Sequence, residues 1–214
     1  MAERLGTGAE ARRRGRPLGG SVVCVNGGQG TLAEGTWSAT IEWLVHELAP
    51  RFAELELIEV RYRTKSWERL DECVEDARAA IDAAGSPRVC LIGFSMGGAV
   101  AIGAADDLRV REVIGLAPWI PERLDVSTLR AKRLTVLHGA LDRSLPGIPG
   151  VSPASSRAGF ERAREQGAVG EYRVIPGALH GTALRAPWGL MPLPRARRWR
   201  ELVAAELTRF QSAG

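Results

Sequence analysis

From residue 21 onward, short unbroken runs of Val, Ile and Leu alternate with stretches whose apolar residues recur every three or four positions. Runs of the first kind suit strands buried on both faces, and the second kind suits helices that cover them. The alternation therefore predicts a mostly parallel sheet with crossover helices. The first run, Ser21 to Val25, breaks at Asn26-Gly27-Gly28-Gln29-Gly30 and reads as a strand ending in a glycine loop. Ile41, Leu44, Val45 and Leu48 then fall at helical spacing, and Pro50 marks the stop. Leu55 to Tyr62 is the second strand. Ser66 suits the N-cap of a helix with Leu70, Cys73, Val74, Ala77 and Ile81 on one face, closed by Gly85.

The third strand, Val89 to Ile92, runs straight into Gly93-Phe94-Ser95-Met96-Gly97-Gly98. Ala99 to Ala105 carries no charge, and a helix apolar all round belongs in the interior. Val110 to Leu116, Arg133 to Leu137 and Tyr172 to Ile175 supply three further strands. Ser152-Pro153 opens a helix with a cap and a proline in its first turn, and the last helix, from Arg195 to Gln211, puts Trp199, Leu202, Val203, Leu207 and Phe210 on one face. The expected architecture is a three-layer α/β/α sandwich around a mostly parallel sheet of about six strands. No internal repeat or domain boundary is visible between residues 20 and 214.

Composition changes this picture little. The chain has 214 residues, enough for one domain with a sizeable core, and its 45% apolar and 25% charged residues are ordinary for a globular protein. Its three cysteines, Cys24, Cys73 and Cys90, sit in apolar or helical contexts without metal-ligand spacing, so neither a disulfide framework nor a zinc site is indicated. No apolar run approaches the roughly 20 residues that span a bilayer.

Charge is the feature that misleads. The net charge of +4 invites a nucleic-acid reading, but five arginines in residues 1–20 face only Glu3 and Glu10, leaving 24 basic against 23 acidic groups in the rest. Arg12, Arg13 and Arg14 are followed by Gly15, Pro17 and Gly19 rather than by the apolar stretch of a secretory signal. Residues 1–19 are therefore expected to be a disordered, Arg-rich arm ahead of a domain spanning 20–214. A cytoplasmic protein with no nucleic-acid or membrane partner is the expectation.

The chemistry centres on Gly93-Phe94-Ser95-Met96-Gly97. Taken bare, Gly-x-Ser-x-Gly is a weak signal in a chain with 25 glycines. Its placement between a strand and a small-residue helix strengthens it, because a serine on so sharp a turn needs neighbours without side chains at 93 and 97. A serine needs a base, and the chain has three histidines. His46 lies mid-helix and reads as a surface residue. His138 ends a strand, where a local structural role is expected. His180 follows the last strand in Pro176-Gly177-Ala178-Leu179-His180, at the carboxyl edge where open α/β sheets gather their active groups, and is the preferred base. Asp142, just past the fifth strand, is the preferred orienting acid over Asp106, Asp107 and Asp125. The amide of Met96 and one from the loop after the first strand, with Gly28 preferred and Gln29 next, are the expected oxyanion donors.

Ser95, Asp142 and His180 in that order, with the glycine-flanked serine after the third parallel strand, resemble the α/β-hydrolase superfamily over residues 21–211. Gly115-Leu116-Ala117-Pro118-Trp119, His138-Gly139-x-x-Asp142 and Pro176-Gly177-x-x-His180 are similar to small bacterial members of its dienelactone-hydrolase-like and esterase-like branches. The resemblance implies a Ser-His-Asp triad, an oxyanion hole and no metal or organic cofactor. Two features depart from it. Asn26-Gly27 stands where the family usually has His-Gly, and only about 20 residues precede the first strand, so the family's two leading strands are expected to be absent.

Residues 118–132 are too few for the helical cap of larger relatives, which predicts an open site and a small ester or thioester as substrate. Acyl transfer or lactone opening on the same triad, and a non-catalytic ligand-binding protein on a hydrolase scaffold, are the alternatives. Trp37, Trp119 and Trp188 fall near the expected mouth, as an apolar acyl wall or as ordinary packing, with Trp37, Trp119 and Gln29 the preferred substrate contacts. Residues 144–150 lengthen the rim after Asp142, either to shape substrate choice or as a surface turn.

Overall fold

A computed structural model describes residues 1–29, 32–143 and 150–213; the rim segment 144–149 lies outside the described residues. Six of its strands follow the apolar runs: β3 (Gly20–Val25), β4 (Leu55–Arg61), β5 (Val89–Phe94), β6 (Val110–Leu116), β7 (Arg133–Gly139) and β8 (Val169–Ile175). They are preceded by β1 (Ala2–Arg4) and β2 (Glu10–Arg14), and followed by a small hairpin, β9 (Ala183–Ala186) and β10 (Gly189–Pro192). The main sheet runs β1-β2-β4-β3-β5-β6-β7-β8, parallel from β4 to β8 and antiparallel at β1 and β2.

Helices α1 (Ala39–Leu48) and α5 (Ala196–Ser212) cover one face, while α2 (Leu70–Asp82), α3 (Met96–Gly103) and α4 (Pro153–Glu165) cover the other. Alternate residues of β3 serve the two cores: Val22 and Cys24 pack toward α1 and α5, Val23 and Val25 toward α2 and α3. Both faces being apolar explains why these strands read as unbroken hydrophobic runs. Ser152 forms the cap expected of it, Ser66 caps one turn earlier than expected, and Ser38 adds a third. Ser38 accepts from Ile41 N, and Ser152 accepts from Ser155 N ahead of Pro153; Ser66 caps a 3-10 turn, Trp67–Arg69, that leads into α2. Among the described residues no helix is long and apolar enough to cross a membrane.

Two expectations are overturned here. The sheet has eight strands rather than six, and residues 1–19 are not a disordered arm. Strand β2 pairs with β4 from Glu10↔Arg61 to Arg14↔Leu57, and Leu5, Ala9 and Ala11 are buried. Two of the arginines that suggested solvation have carboxylate partners later in the chain: Arg13 bonds Glu56 of β4 at 2.6 Å and Arg12 lies 3.7 Å from Glu42 of α1. In return, Arg61 of β4 bonds Glu10 at 3.0 Å. The two leading strands that the chain was expected to lack are therefore present.

Connection order creates the crevice that matters. From β3 the chain passes to β4 on one side and returns to β5 on the other, with α1 and α2 crossing opposite faces. The loops leaving the carboxyl ends of β3 and β5 diverge, and such a switch point is where open α/β sheets hold ligands. Residues 117–132, between β6 and β7, carry only the 3-10 turn Ser127–Leu129, so this connection inserts no helical cap.

Candidate active site

Ser95 sits at the switch point, between β5 and α3. Its φ of 55° and ψ of −119° place it in a region that side chains rarely adopt. The turn is held from both sides: Ser95 N donates to Leu116 O at 2.9 Å, and the amides of Gly98 and Trp119 both donate to Ser95 O at 2.9 Å. A Cβ at Gly93 would lie 2.2 Å from Gly97 O, and one at Gly97 would lie 2.6 Å from the carbonyls of Val25 and Asn26. No side chain fits at either place, which is the physical content of the Gly-x-Ser-x-Gly spacing.

The glycine loop after β3 lies directly against this turn. A Cβ on Gly27 would come within 3.3 Å of Ser95 Cβ, and one on Gly28 within 2.1 Å of Met96 Sδ. Asn26, in place of the family's histidine, pins the loop by donating to Thr36 O at 2.7 Å and accepting from Tyr62 OH at 3.0 Å through its carbonyl. Met96 begins α3, where first-turn amides have no intrahelical acceptor. The structure thus brings Gly28 and Met96 together around Ser95. Gln29 stands farther along the loop, its carbonyl accepting from Trp67 N at 3.1 Å.

Asp142 and His180 meet at the same edge. His180 Nδ1 lies 2.7 Å from Asp142 Oδ2. Their two loops are zipped together, with Ala140 N donating to Ile175 O at 3.0 Å and Leu141 N to Ala178 O at 2.9 Å. Beyond His180, Thr182 locks onto Thr40 at the start of α1 through two hydrogen bonds, of 3.2 and 3.0 Å. The Phe94 ring packs on the imidazole at 5.0 Å between centroids, linking it to the residue beside Ser95. Among the described residues no hydrogen bond joins Ser95 Oγ to His180; such bonds often form only when substrate is bound.

The Asp142 side chain is fully buried, and Oδ1 accepts from Val151 N at 3.2 Å. Burial raises its pKa, but hydrogen bonds from His138 and His180 lower it by more, so the carboxyl stays below its ordinary value. His138, expected to have a local structural role, is buried with Nε2 3.0 Å from Asp142 Oδ2, a contact that the sequence reading did not anticipate. The i,i+4 spacing of His138-Gly139-x-x-Asp142 at a strand end was the available signal.

An apolar cleft of about 290 Å³ opens beside His180, walled by Phe94, Leu141, Leu179, Leu184 of β9 and Leu193, with Arg143 at the edge. The hairpin that forms one wall was not foreseen. Of the three tryptophans expected at the mouth, only Trp119 touches the nucleophile turn, its ring 6.2 Å from Trp67. Trp188 is at the hairpin tip and 81% exposed. Trp37 stacks under Arg12 at 3.9 Å and lines a separate polar depression with Glu42, Arg61 and Arg185, so the structure does not place it in this cleft.

Residues 22–212 match the sequence profile of the alpha/beta hydrolase family. The chain belongs to the α/β-hydrolase family. A sequence search of curated proteins returns no match. Among solved structures, an alpha-beta serine hydrolase homologue from Coxiella burnetii superposes with a TM-score of 0.72 at 18% identity, covering 97% of this chain and 96% of that one. A monoacylglycerol lipase from Paleococcus ferrophilus gives 0.65 at 14% identity, over 94% and 98% of the two chains. A dienelactone hydrolase-like promiscuous phosphotriesterase from metagenomic libraries gives 0.63 at 16%, over 99% and 97%. At these identities the likeness is one of fold. As an α/β hydrolase, the chain carries its strained serine, its Asp-His pair and its glycine loop at the carboxyl edge of the sheet.

Proposed function

We propose that this α/β hydrolase is a serine hydrolase of small carboxylic esters or thioesters. One observation carries the reading: the strained Ser95, pressed under the Gly27-Gly28 loop, shares the sheet edge with an imidazole bonded at 2.7 Å to a buried carboxylate. In this reading Ser95 Oγ attacks the acyl carbonyl while His180 Nε2 takes its proton. Asp142 accepts the Nδ1 hydrogen, which fixes the tautomer and stabilises the imidazolium. The amides of Met96 and Gly28 receive the developing oxyanion. His180 then returns the proton to the leaving alcohol or thiol, and water releases the acyl group by the same route.

The apolar cleft beside His180 supports a substrate with a small hydrocarbon portion, and the short β6–β7 connection supports open access. The test is covalent labelling with a fluorophosphonate together with turnover of nitrophenyl esters and a thioester. Wild type is expected to label at Ser95 and to turn over, and Ser95→Ala to do neither. A wild type that resists labelling and hydrolyses none of the panel overturns the reading.

A further inference from the structure

Two histidines meet on one oxygen of Asp142. His180 approaches Oδ2 from the partly exposed side, and His138, wholly buried, approaches it from beneath at 3.0 Å. The mechanism above uses only the first. The protonation of the second follows from its neighbours. His138 Nε2 faces Asp142 Oδ2 and, at 2.9 Å, the carbonyl of Val151. Both only accept, so Nε2 carries the hydrogen. Nδ1 lies 2.7 Å from Ser156 Oγ, a hydroxyl able to donate to it. Tyr172 OH lies 2.8 Å from the same oxygen and donates to Pro153 O at 2.8 Å. The Ser156 hydroxyl can donate to Nδ1 or accept from it, while the hydrogen on Nε2 is fixed by its two acceptors.

Among the described residues the other charged and titratable groups around His138 are these. The Tyr172 ring of β8 stacks on the imidazole at 6.3 Å and 15°, and the Arg157 guanidinium of α4 sits 4.1 Å over that ring on its way to solvent. Asp142 is the carboxylate in contact, and His180 lies beyond it. Val151 closes a ring: its N–H donates to Asp142 Oδ1, and its carbonyl accepts from the imidazole that also reaches Oδ2.

We propose that His138 is a positioning residue for the reaction: its Nε2–H, shared between Val151 O and Asp142 Oδ2 and anchored on β7 and through Ser156 on α4, holds the Asp142 carboxylate toward His180 Nδ1 and limits its basicity. The proposal rests on the serine hydrolase reading of Ser95, Asp142 and His180. Oδ2 has two imidazole nitrogens within 3.0 Å, and an N–H on the buried one restrains the side-chain torsions that would turn the carboxylate away from His180. A carboxylate that loses a donor is also a stronger base, so it holds the imidazolium form of its partner more tightly.

The test compares His138→Leu, which keeps bulk without a donor, with His138→Gln, whose side-chain amide places an N–H near the lost Nε2. His138→Leu is expected to lower kcat by about 10- to 100-fold, a loss typical of groups one shell removed from the chemistry. KM should change little, and the acid limb of kcat/KM should move to higher pH. The downfield proton resonance of His180 Nδ1–H should move as well. His138→Gln should recover most of kcat and the wild-type acid limb. Ser156→Ala, which frees the far end of the imidazole, should shift limb and resonance in the same direction by less, and it decides the matter if His138→Leu does not fold.

An unshifted limb and resonance in His138→Leu, or in Ser156→Ala where the leucine variant is unfolded, would overturn the proposal. So would a glutamine variant no better than the leucine one. Failure of the hydrolase reading looks different: wild type would neither label nor turn over, while the resonance would still report the link between His138 and His180.

Discussion

Asp142 and Glu56 are both buried carboxylates held below their ordinary pKa, and the way each is held differs. Glu56, on β4, accepts from Arg13 at 2.6 Å, Ser21 Oγ at 2.7 Å and Gly85 N at 2.9 Å. Burial raises its pKa, and these bonds lower it further than burial raises it. Its charge is already answered by a guanidinium. Among the described residues Asp142 is met by two imidazoles and the Val151 amide and by no guanidinium, and on the proposed mechanism its charge is answered when His180 takes a proton. A carboxylate neutralised in advance by a guanidinium ties strands together, whereas one bonded to imidazoles can, on the proposed mechanism, answer a proton arriving on its partner.

The sharpest way to break this comparison is Asp142→Asn, which keeps the shape and removes the charge. On the proposed mechanism it lowers kcat on a nitrophenyl ester by about 10⁴-fold, through the wrong imidazole tautomer, while the protein stays folded. Glu56→Gln should leave that turnover unchanged. Equal losses in the two variants would show that both carboxylates act through stability alone.

The second effect is on stability and belongs to the Glu56 side. Removing residues 1–19 strips β1 and β2 from β4, exposes the surface that Leu5, Ala9 and Ala11 cover, and leaves Glu56 without Arg13. Burial of one leucine-sized side chain alone is worth about 2 kcal/mol, so the truncated chain should lose about 3 kcal/mol or more in a urea titration. A truncated chain with full-length stability would show that the two strands contribute nothing to the fold.

That segment also shows what the sequence could and could not say. The parallel strands were legible because burial on both faces makes Val22 to Val25 and Val110 to Leu116 continuously apolar. The nucleophile turn was legible because it demands glycine at 93 and 97. Strand β2 was not, because Arg12, Arg13 and Arg14 look solvated until β4 brings Glu56 and Glu59 alongside through tertiary pairing. The β9–β10 hairpin was hidden for another reason: its strands are four residues each, interrupted by Pro187 and ended by Pro192, without period-two alternation. That Asp142 and His180 meet was legible from their place at strand ends. The i,i+4 spacing put His138 near Asp142, but spacing alone does not show that its Nε2 faces the buried carboxylate.

The third test separates the carboxylates by pH. Glu56 has a folded pKa below its unfolded value of about 4.3, so its contribution is fully present above that pH and is lost as pH falls through the folded value. Glu56→Gln should cost about 1–2 kcal/mol at neutral pH, the scale of a charged hydrogen bond, and the deficit should shrink in acid. Denaturation midpoints followed from pH 7 down to about 3 would show the two curves converging. Parallel curves would mean that the ionised form of Glu56 contributes nothing.

The smallest effect concerns Trp37, which the sequence suggested as a substrate contact and the structure places under Arg12. Replacing it with leucine removes a cation–π contact worth about 0.5–1 kcal/mol at an exposed site and leaves the cleft beside His180 untouched. Trp37→Leu should therefore lower the denaturation midpoint slightly while kcat/KM on short esters stays at the wild-type value. Trp119→Leu is the contrasting change, because the Trp119 ring packs on Trp67 beside the Ser95 turn. It should reduce kcat/KM more than Trp37→Leu does. The reverse order would move the substrate-binding wall away from the His180 cleft to the depression between Arg12 and Arg185.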